Sequence, residues 1–428
     1  MTDVLLAVFF FGRKTKMNLF EELKWRGLVD NTTSPELEDA INNDSLTFYI
    51  GTDPTADSLH IGHYSSLLMA KRLEKHGHHP IMLVGGATGF IGDPKASGER
   101  SMLTPEVLEA NYNALHKQIQ ALWGFQMVNN LDWIKKLSVI DFLRDYGKLF
   151  NVNYMINKET VKKRLDSGIS YTEFSYMILQ SIDFLHLYQT YNCRMQIGGQ
   201  DQWGNITSGL ELIRKVEGSD VKCFGLTMPL ITKADGTKFG KSETGTVWLD
   251  ANKTSPYALY QFLFNTEDSK VIEYLKKLTF LSVEEIEELD RKTKEDAGRR
   301  EAQRALAEAV VKDLHGEKGL ESALKITNAL FRGNLQDLNE EERKDAIKDM
   351  EKIQAKAGQK LEDLMIETKV AKSKREAREW IKGNSIAING IKVTDPNQII
   401  DNADLFVENV LILRRGKKNS YCIELVEE

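Results

Sequence analysis

The pattern of apolar and polar positions up to residue 235 alternates between strand-like and helix-like segments. Short apolar runs at Leu46–Ile50 and Ile81–Val84 predict buried strands, and each closes on a glycine-containing break. Between them, Ile61–His76 has the spacing of a helix that Gly77 ends. Strand, helix and strand within about 40 residues predict a βαβ unit and a parallel sheet.

The same pattern returns further along. Arg194–Gly199 predicts a short strand that ends in a glycine pair, and Asn205–Lys215 predicts the helix after it. Met17–Leu28 adds an amphipathic helix in front. We therefore predict an α/β fold for this part, with a doubly wound, Rossmann-like parallel sheet.

The pattern changes after Ser255, where strand-like segments become rare. Glu284–Lys312 is rich in Glu, Lys, Arg and Ala at helical spacing, and Gly316 is a candidate end of that helix. The charged stretch Asn339–Lys360 is predicted to contain a linker. From Leu361 onward, a short helix, a basic helix and strand-like segments predict a small α+β domain.

These changes divide the chain into four parts. Residues 1–16 are predicted to be a loose extension or a start artefact, 17–245 the doubly wound domain, 246–345 a helical domain and 355–428 the small C-terminal domain. The first part contains an apolar run too short to span a membrane. Its basic residues follow that run, whereas a signal peptide carries them in front.

Composition describes an ordinary globular protein, with 41% hydrophobic and 28% charged residues. The formal net charge of −6 gives no whole-chain indication of a polyanionic partner, so any basic surface must be local. Cys193, Cys223 and Cys422 are scattered and have neither metal-ligand spacing nor the spacing of a disulfide framework. Such cysteine usage suits a reducing cytoplasm.

Two histidines stand between the first predicted strand and its helix. His60 and His63 are three apart, so both project from one face of the first turn, where free backbone N–H groups favour an anion. Thr55 adds a hydroxyl donor, and Gly62 lets a backbone or a nucleotide ring approach without a Cβ in the way. An isolated pair of this kind is more often structural, but its position at a strand-to-helix junction favours a phosphate site.

A basic loop lies far downstream. Residues 233–242 (KADGTKFGKS) hold three lysines and two glycines. Alone, such a run is usually a solvated turn. Together with the histidine site, its lysines offer point charges for phosphate, and the loop could close over a triphosphate and stabilise the departing pyrophosphate.

Polar residues also interrupt an apolar helix. Phe174–Leu187 is apolar almost all round and is therefore predicted to be buried. Tyr176, Gln180 and Asp183 nevertheless form one stripe along it. Because buried polar groups need partners, two interpretations stay open: a structural network, or the lining of a pocket for a small polar ligand.

Taken together, these motifs resemble those of class I aminoacyl-tRNA synthetases, specifically the bacterial-type tyrosyl-tRNA synthetases. Leu59–His63 (LHIGH) matches the family's first motif, and Lys238–Ser242 (KFGKS) matches the tyrosyl form of its second. Further matching stretches are Tyr49–Ser58, Gly85–Asp93, Thr172–Phe184 and Gln196–Asn205. The likeness runs from Met17 to the C-terminus.

The resemblance implies an activity and its partners. A tyrosine–tRNA ligase activates L-tyrosine with ATP to tyrosyl-adenylate and pyrophosphate, then transfers tyrosine to the 3′ terminal ribose of tRNA(Tyr). The implied architecture is a Rossmann-like catalytic domain, a helical domain and an RNA-binding domain like that of ribosomal protein S four. A cytoplasmic homodimer is implied, with Mg²⁺ accompanying ATP, no protein-bound metal and no membrane. Rejection of phenylalanine without an editing domain is also implied, a property for which tyrosyl enzymes are the standard example.

The resemblance also assigns roles to matching positions. The residues implied in tyrosine binding are Tyr49, Asp53, Asp93, Tyr176, Gln180, Asp183 and Gln202. Those implied in ATP binding are Gly51, Gly62, Gly199, Asp201 and Ser242, and those implied in catalysis at the phosphates are Thr55, His60, His63, Lys238 and Lys241. The basic residues implied in RNA binding are Lys372, Lys374, Arg375, Arg378, Arg414 and Arg415.

The sequence departs from the family pattern at three places, and three alternatives to a tyrosyl enzyme remain open. Ile50 stands where the family often has a small or thiol side chain near the ribose, and Ser66 stands where it often has another small residue. Residues 94–100 form a segment one residue shorter than in some relatives. A tryptophanyl enzyme is the nearest alternative, although indole offers only one donor and fits Tyr49 with Asp183 less well. A nucleotidylyltransferase would not need the basic tail. A catalytically inactive RNA-binding relative would not need intact histidine and lysine motifs.

Overall fold

A computed structural model describes residues 17–94, 98, 102–242, 245–332, 335–348, 350–416 and 419–426. The predicted extension at residues 1–16 lies outside these ranges. The chain divides into two compact units. The first runs to Phe239 and includes Lys276–Leu278, and the second comprises Gly240–Leu275 and the chain from Thr279 onward.

The first unit is built on one six-stranded sheet. Its strands are β1 (Asn31–Thr32), β2 (Thr47–Thr52), β3 (His79–Val84), β4 (Gln126–Asn129), β5 (Cys193–Gly199) and β6 (Phe224–Met228). Their order across the sheet is β1-β6-β5-β2-β3-β4, and all neighbours are parallel except β1 with β6. The direction of winding reverses between β2 and β5, so their carboxyl ends flank a crevice. The predicted doubly wound fold is confirmed.

Helices connect these strands. They are α1 (Leu19–Trp25), α2 (Glu36–Asn43), α3 (Ile61–Glu74), α4 (Pro105–Trp123), α5 (Leu131–Ile134), α6 (Val139–Asp141), α7 (Val152–Ile156), α8 (Glu159–Lys162), α9 (Tyr171–Tyr191) and α10 (Trp203–Glu217). The helix predicted at Ile61–His76 is α3, and the apolar helix predicted at Phe174–Leu187 is α9. As its apolar surface requires, α9 is buried and packs against α10.

Several elements of this unit have no counterpart in the sequence predictions. The longest is α4, which begins after Thr104, whose hydroxyl accepts from the backbone N–H of Val107, and ends at Gly124 in the left-handed region (φ 67°). Strand β4 follows α4 in the chain, pairs with β3 and extends the sheet. These elements matter because the chain that follows β4 contributes to the site described below.

His78 is buried at the amino ends of β2 and β3. Its Nδ1 accepts from the backbone N–H of Leu46 at 3.1 Å, and its Nε2 lies 3.0 Å from the carbonyl oxygen of Ile41, to which it donates. Burial lowers the pKa of His78 below its ordinary value, so the neutral imidazole is the favoured form.

The second unit combines helices with a small sheet. Its helices are α11 (Pro256–Phe264), α12 (Asp268–Leu278, whose last residues belong to the first unit), α13 (Val283–Glu295), α14 (Glu301–Arg332), α15 (Glu340–Ile347), α16 (Leu361–Glu367) and α17 (Lys374–Lys382). Gly316 interrupts α14 with φ 69° and ψ −175°, so the predicted helix end is a kink after which the helix continues.

The strands of this unit lie mostly near the C-terminus. They are β7 (Lys241–Ser242), β8 (Gly245–Thr246), β9 (Lys352–Lys356), β10 (Gln359–Lys360), β11 (Ile386–Ile388), β12 (Ile391–Lys392), β13 (Ile399–Ile400), β14 (Val410–Arg415) and β15 (Asn419–Val426). Five form a sheet of order β12-β11-β14-β15-β9, in which β9 runs parallel to β15. The stretch predicted to contain a linker, Asn339–Lys360, is therefore largely structured, because it holds α15, β9 and β10. No helix among the described residues is long and apolar enough to cross a membrane.

Candidate active site

A cavity of about 430 Å³ opens at the carboxyl ends of β2 and β5 and at the start of α3. This is the crevice that the reversal of strand order creates. The predicted site residues that line it are Tyr49, Gly51, Asp53, Thr55, His60, Gly62, His63, Asp93, Tyr176, Gln180, Asp183, Gly199, Asp201, Gln202 and Lys238. Ile50 and Ser66, two of the three departures from the family pattern, line it too. Lys241 and Ser242 form β7 of the second unit, and their side chains lie outside the described part of the structure.

The two histidines are locked together at the first turn of α3. The backbone N–H of Gly62 donates to His60 Nδ1 at 3.1 Å, and the backbone N–H of His60 donates to His63 Nδ1 at 3.3 Å. The rings stack with centroids 3.9 Å apart and 24° between their planes. Because Nδ1 is an acceptor in both rings, Nε2 is the nitrogen that carries the proton in each neutral imidazole.

Burial keeps both imidazoles neutral. It lowers the pKa of His63 to about 3, with the charge of His60 as a second cause. Burial also lowers the pKa of His60, and the nearby Lys238 ammonium acts in the same direction. Neutral imidazoles with a fixed tautomer act as hydrogen-bond donors of constant charge across the neutral pH range.

Gly62 has a more specific reason to be glycine than the sequence indicated. A Cβ at this position would lie 2.8 Å from Cε1 and 2.9 Å from Nδ1 of His60. Such distances are shorter than a van der Waals contact, so a side chain here would displace the imidazole. The glycine therefore makes room for the neighbouring histidine ring itself.

The lysine-rich segment forms a tight turn beside the cavity. The backbone N–H of Phe239 donates to the carbonyl of Ile231 at 3.1 Å, and that of Lys233 donates to the carbonyl of Thr237 at 2.8 Å. Asp235 Oδ1 accepts from the backbone N–H and the hydroxyl of Thr237 at 2.8 and 2.6 Å. Lys238 follows this turn and is exposed, which leaves its side chain room to reach an anion in the cavity.

The polar stripe on α9 is paired, and it also lines the cavity. Tyr176 donates its hydroxyl hydrogen to Asp53 Oδ2 at 3.0 Å, and Gln180 Nε2 donates to Gln202 Oε1 at 3.3 Å. Asp183, at the far end of the stripe, is 1% exposed and accepts two hydrogen bonds. The structural network of the first interpretation is present, and it forms part of a cavity wall, which is compatible with the second interpretation.

Two buried carboxyl groups have raised pKa values. Burial raises the pKa of Asp183 to about 7, against hydrogen bonds from Asn130 and Trp133 that lower it. Burial raises the pKa of Asp93 to about 6, with its hydrogen bonds opposing the shift. Those bonds come from Gln202 Nε2 at 2.8 Å and Asn205 Nδ2 at 3.2 Å. Burial thus brings both pKa values toward neutral pH, that of Asp183 further than that of Asp93.

Two polar atoms in the cavity wall have no hydrogen-bond partner among the described residues. They are the hydroxyl of Tyr49 and Oε1 of Gln196. Tyr49 on β2 is the register partner of Gln196 on β5, so the two side chains are neighbours at the crevice. Since buried polar groups are normally paired, these atoms point to a ligand that brings partners of its own.

Sequence reasoning missed four residues of this network. Asn130 Nδ2 donates to Asp183 Oδ2 at 3.0 Å, and Trp133 Nε1 donates to Asp183 Oδ1 at 2.8 Å. Thr88 donates to Asp53 Oδ1 at 2.7 Å, and Asn205 contacts Asp93 as described. Asn130 stands just past the carboxyl end of β4, and polar residues at that place in a parallel strand are the signal that could have found it.

Across the described residues, no group of three or more His, Cys, Asp or Glu is placed to hold a metal ion.

The basic residues predicted to bind RNA differ in their surroundings. On α17, Lys374 pairs with Asp363 at 2.6 Å, and Arg378 donates to both oxygens of Glu362 at 2.5 and 2.9 Å. Arg375 is 90% exposed, with Glu379 3.5 Å away, and Lys372 is exposed. Lys374 and Arg378 therefore form closer ion pairs with acidic side chains than Arg375 does.

The second basic pair lies on β14. Arg414 donates to the carbonyl of Leu330 at 3.2 Å. Arg415 donates to the carbonyl of Val370 at 3.1 Å and lies over the Trp380 ring at 4.5 Å. These arginines are oriented by contacts within the second unit.

Comparison of the chain with family models and with curated proteins identifies the same family. A model described as "tRNA synthetases class I (W and Y)" matches residues 41–332, and one described as "Tyrosine--tRNA ligase SYY-like C-terminal domain" matches residues 342–423. The chain is 50% identical over 415 residues to the tyrosine–tRNA ligase of Staphylococcus carnosus, covering 95% of this chain and 99% of that protein. The chain belongs to the tyrosyl-tRNA synthetase family. The resemblance drawn from the motifs is confirmed, and with it the assignment to the aminoacyl-tRNA ligases.

Further tyrosyl-tRNA synthetases support this assignment. The chain is 49% identical over 417 residues to tyrosine–tRNA ligase 1 of Bacillus subtilis, which covers 95% of this chain and 99% of that protein. Among solved structures, a C-terminally truncated mitochondrial tyrosyl-tRNA synthetase from Aspergillus nidulans aligns with a TM-score of 0.67 at 29% identity, over 74% of this chain and 95% of that chain. Family membership argues against the nucleotidylyltransferase alternative.

Proposed function

We propose that the chain activates L-tyrosine with ATP and transfers it to tRNA(Tyr), as a tyrosine–tRNA ligase. The observation that carries the proposal is a single cavity with two different ends. One end holds the neutral histidines and Lys238, which suit phosphate, and the other holds the unpaired Tyr49 hydroxyl beside Asp183. A ligand with a phenol at one end and an adenylate at the other fits both.

Tyrosine would lie along the stripe of α9. Its phenolic hydroxyl would donate to Asp183 and pair with the Tyr49 hydroxyl, which otherwise has no described partner. Its ammonium group would lie between Asp93, Tyr176 and Gln180. Asp53 and Gln202, which are hydrogen-bonded to Tyr176 and Gln180, would hold the ammonium and carboxylate ends. Phenylalanine would leave the Tyr49 hydroxyl unpaired, and an indole would present its single donor in a different place.

ATP would lie across the carboxyl ends of β2 and β5. Gly51, Gly62 and Gly199 line this part of the cavity and would lie against the nucleotide, and Asp201 would accept from ribose hydroxyls. Thr55 and His60 would donate to the γ-phosphate, and His63 would lie beside the nucleotide. Lys238 would reach the phosphates from its turn, and we propose that Lys241 and Ser242 join it. Mg²⁺ would enter with ATP, since phosphate oxygens are its preferred ligands.

The chemistry needs no catalytic base. The tyrosine carboxylate is already a nucleophile, so it would attack the α-phosphorus of ATP while the bond to pyrophosphate breaks. Positioning of the two substrates and donors aimed at the developing charge are then sufficient. The neutral histidines suit this task, because each has its proton fixed on Nε2.

Other parts of the proposal concern assembly and RNA. We place the catalytic domain at residues 17–245, the helical domain at 246–345 and the RNA-binding domain at 355–428. Large apolar side chains of the first unit that are exposed, at Val139 (73%) and Tyr171 (67%), support a homodimer that covers them. The scattered free cysteines support a cytoplasmic location.

Pyrophosphate exchange into ATP tests the amino acid specificity. Exchange should depend on tyrosine and should be far weaker with phenylalanine or tryptophan. Equal or better exchange with tryptophan would favour the tryptophanyl alternative. No exchange with any of the three would favour the inactive RNA-binding alternative.

Two substitutions test the phosphate site. His60→Ala and Thr55→Ala should lower the rate of tyrosine activation while tyrosine affinity hardly changes, because both donors act on phosphate in the transition state. Equilibrium dialysis measures the affinity, and pre-steady-state adenylate formation measures the rate. If affinity fell in step with the rate, these side chains would have another role.

Charging assays with tRNA test the basic surface. Lys372→Ala should weaken tRNA binding. It should also lower the slope of the logarithm of the binding constant against the logarithm of the salt concentration by about one, because one phosphate contact is lost. Arg378→Ala is the matched control, because Glu362 already engages that guanidinium. Arg378→Ala should lower the melting temperature and leave the slope of the salt dependence close to the parental value. Tyrosyl-adenylate formation should be unchanged in both variants.

A further inference from the structure

The buried Asp183 carboxylate depends on two donors that differ in how firmly they are held. Asn130 is fully buried, and its Oδ1 also accepts from the backbone N–H of Ala87 at 2.7 Å, while its Nδ2 is shared with Thr88 at 3.1 Å. Trp133 lies on the four-residue helix α5 and is only partly buried. A side chain on such a short element needs contacts outside it to keep one orientation.

His186 makes such a contact. It follows Asp183 by three residues on α9, so both side chains project from the same face of that helix. Its imidazole stacks on the Trp133 indole, with centroids 4.3 Å apart and 20° between the ring planes. Thr190, one turn further along, places its hydroxyl 3.5 Å from His186 Nε2. One helix therefore carries both the carboxylate and the ring that packs against its donor.

We propose that His186 is a positioning residue for tyrosine recognition, because its stack on Trp133 holds the indole N–H against Asp183. The inference rests on the proposed function, in which Asp183 accepts from the phenolic hydroxyl of tyrosine. A tilted indole would withdraw one of two donors from a carboxylate that burial already disfavours. The charged acceptor would then be less available to tyrosine, while the phosphate site at the other end of the cavity would be unaffected.

The charge states of the groups involved fit this role. Burial raises the pKa of Asp183 to about 7, and the hydrogen bond from Trp133 is one of two that oppose the shift. Burial, followed by the charge of Lys136, lowers the pKa of His186. The imidazole is thus neutral at neutral pH, and its contact with Trp133 is an aromatic stack. A phenylalanine at this position should preserve that stack.

His186→Ala in the full-length chain is the direct test. The KM for tyrosine in pyrophosphate exchange should rise about three- to tenfold, the range expected for one lost aromatic pair. The preference for tyrosine over phenylalanine should fall by a similar factor. The kcat at saturating tyrosine and the KM for ATP should stay at parental values. His186→Phe should keep the parental KM for tyrosine. His116→Ala, which removes an exposed histidine on α4, should match the parent in every respect.

A double-mutant cycle shows whether His186 acts through Trp133. Trp133→Phe keeps an aromatic ring but removes the N–H donor. In that background, His186→Ala should add little to the KM for tyrosine, because the hydrogen bond it protects is already gone. Additive losses would overturn the proposal, as would a parental KM in the single variant. If His186→Ala does not fold, a raised KM in His186→Phe overturns the proposal and a parental KM supports it.

Equilibrium dialysis with labelled tyrosine separates this inference from the proposed function. A parent protein that binds no tyrosine would overturn both. A parent that binds tyrosine, with a His186→Ala variant that binds it equally well, would overturn this inference alone.

Discussion

Replacing Tyr49 with phenylalanine should stabilise the ligand-free protein and weaken its binding of tyrosine. The Tyr49 side chain is 1% exposed, and its buried hydroxyl has no hydrogen-bond partner among the described residues. Burial also raises its pKa well above the ordinary value, so the group is a neutral hydroxyl at any working pH. An unpaired buried hydroxyl costs about 1–3 kcal/mol, so its removal should raise the unfolding free energy by about 1 kcal/mol.

Tyr176→Phe is the matched control for this prediction. It makes the same chemical change in the same cavity, but the hydroxyl it removes donates to Asp53 Oδ2 at 3.0 Å. A hydrogen bond to a charged group contributes about 1.5–3 kcal/mol, so this variant should lose stability. The two substitutions are therefore expected to have opposite signs, which a general effect of removing a hydroxyl would not produce.

Calorimetry and equilibrium dialysis measure the two halves of the prediction. Tyr49→Phe should raise the melting temperature of the ligand-free chain by about 2–4 °C, and Tyr176→Phe should lower it. Tyrosine should bind Tyr49→Phe about 2- to 10-fold more weakly, because the ligand's phenol loses one partner. A Tyr49→Phe variant that melts below the parent, or that binds tyrosine as tightly as the parent, would refute the reasoning.

Other changes test the rest of the first unit. Gly62→Ala places a methyl group 2.8 Å from the His60 ring, so exchange should slow about tenfold or more with tyrosine affinity unchanged; a parental rate would contradict the steric argument. Glu173→Ala leaves the buried Arg164 guanidinium without the carboxylate 2.9 Å away, which should cost about 3–5 kcal/mol in urea unfolding, and Glu173→Gln should cost less. His78 should contribute to the pH dependence of stability: since its pKa is lowered from 6.5 on folding, the unfolded chain binds more protons below that pH, and this contribution should fall from pH 7 to pH 5. Because His63 acts with the same sign and Asp183 with the opposite one, the measure is the difference between two melting profiles: the His78→Gln variant should lose less stability than the parent between pH 7 and pH 5, and identical pH dependence in both would contradict the role of His78.

The sequence was most informative where local periodicity and local stop signals agree. Helix α3 was predicted because its apolar positions follow a helical period and Gly77 stands beyond its end. Strand β4 was not predicted, because its four residues include polar Gln126 and Asn129 and it is defined by pairing with β3. Helix α4 was overlooked although Thr104, Pro105 and Gly124 are recognisable start and stop residues.

The stretch Asn339–Lys360 illustrates a different limit. Its charge density resembles that of a linker, yet β9 within it pairs with β15, about 70 residues away in sequence. Ala355 is the buried residue of β9, and the charged side chains lie on its exposed positions. An edge strand that forms by pairing with a strand distant in sequence has little apolar periodicity of its own, so the sequence pattern does not reveal it.

Sequence reasoning located the polar stripe but could not show which of its members were satisfied. Tyr176 and Asp183 find their partners on Asp53, Asn130 and Trp133, which lie far away in sequence and meet the stripe because the parallel strands end together. The acidic groups are thereby held in place before any ligand arrives, which limits the ordering that binding requires. The unpaired atoms are neutral ones, on Tyr49 and Gln196, where leaving a group unsatisfied costs less than it would for a charge. Stability is therefore lowered at neutral positions in the cavity wall, and a ligand that brings a hydroxyl to them would recover free energy that a phenyl ring would not.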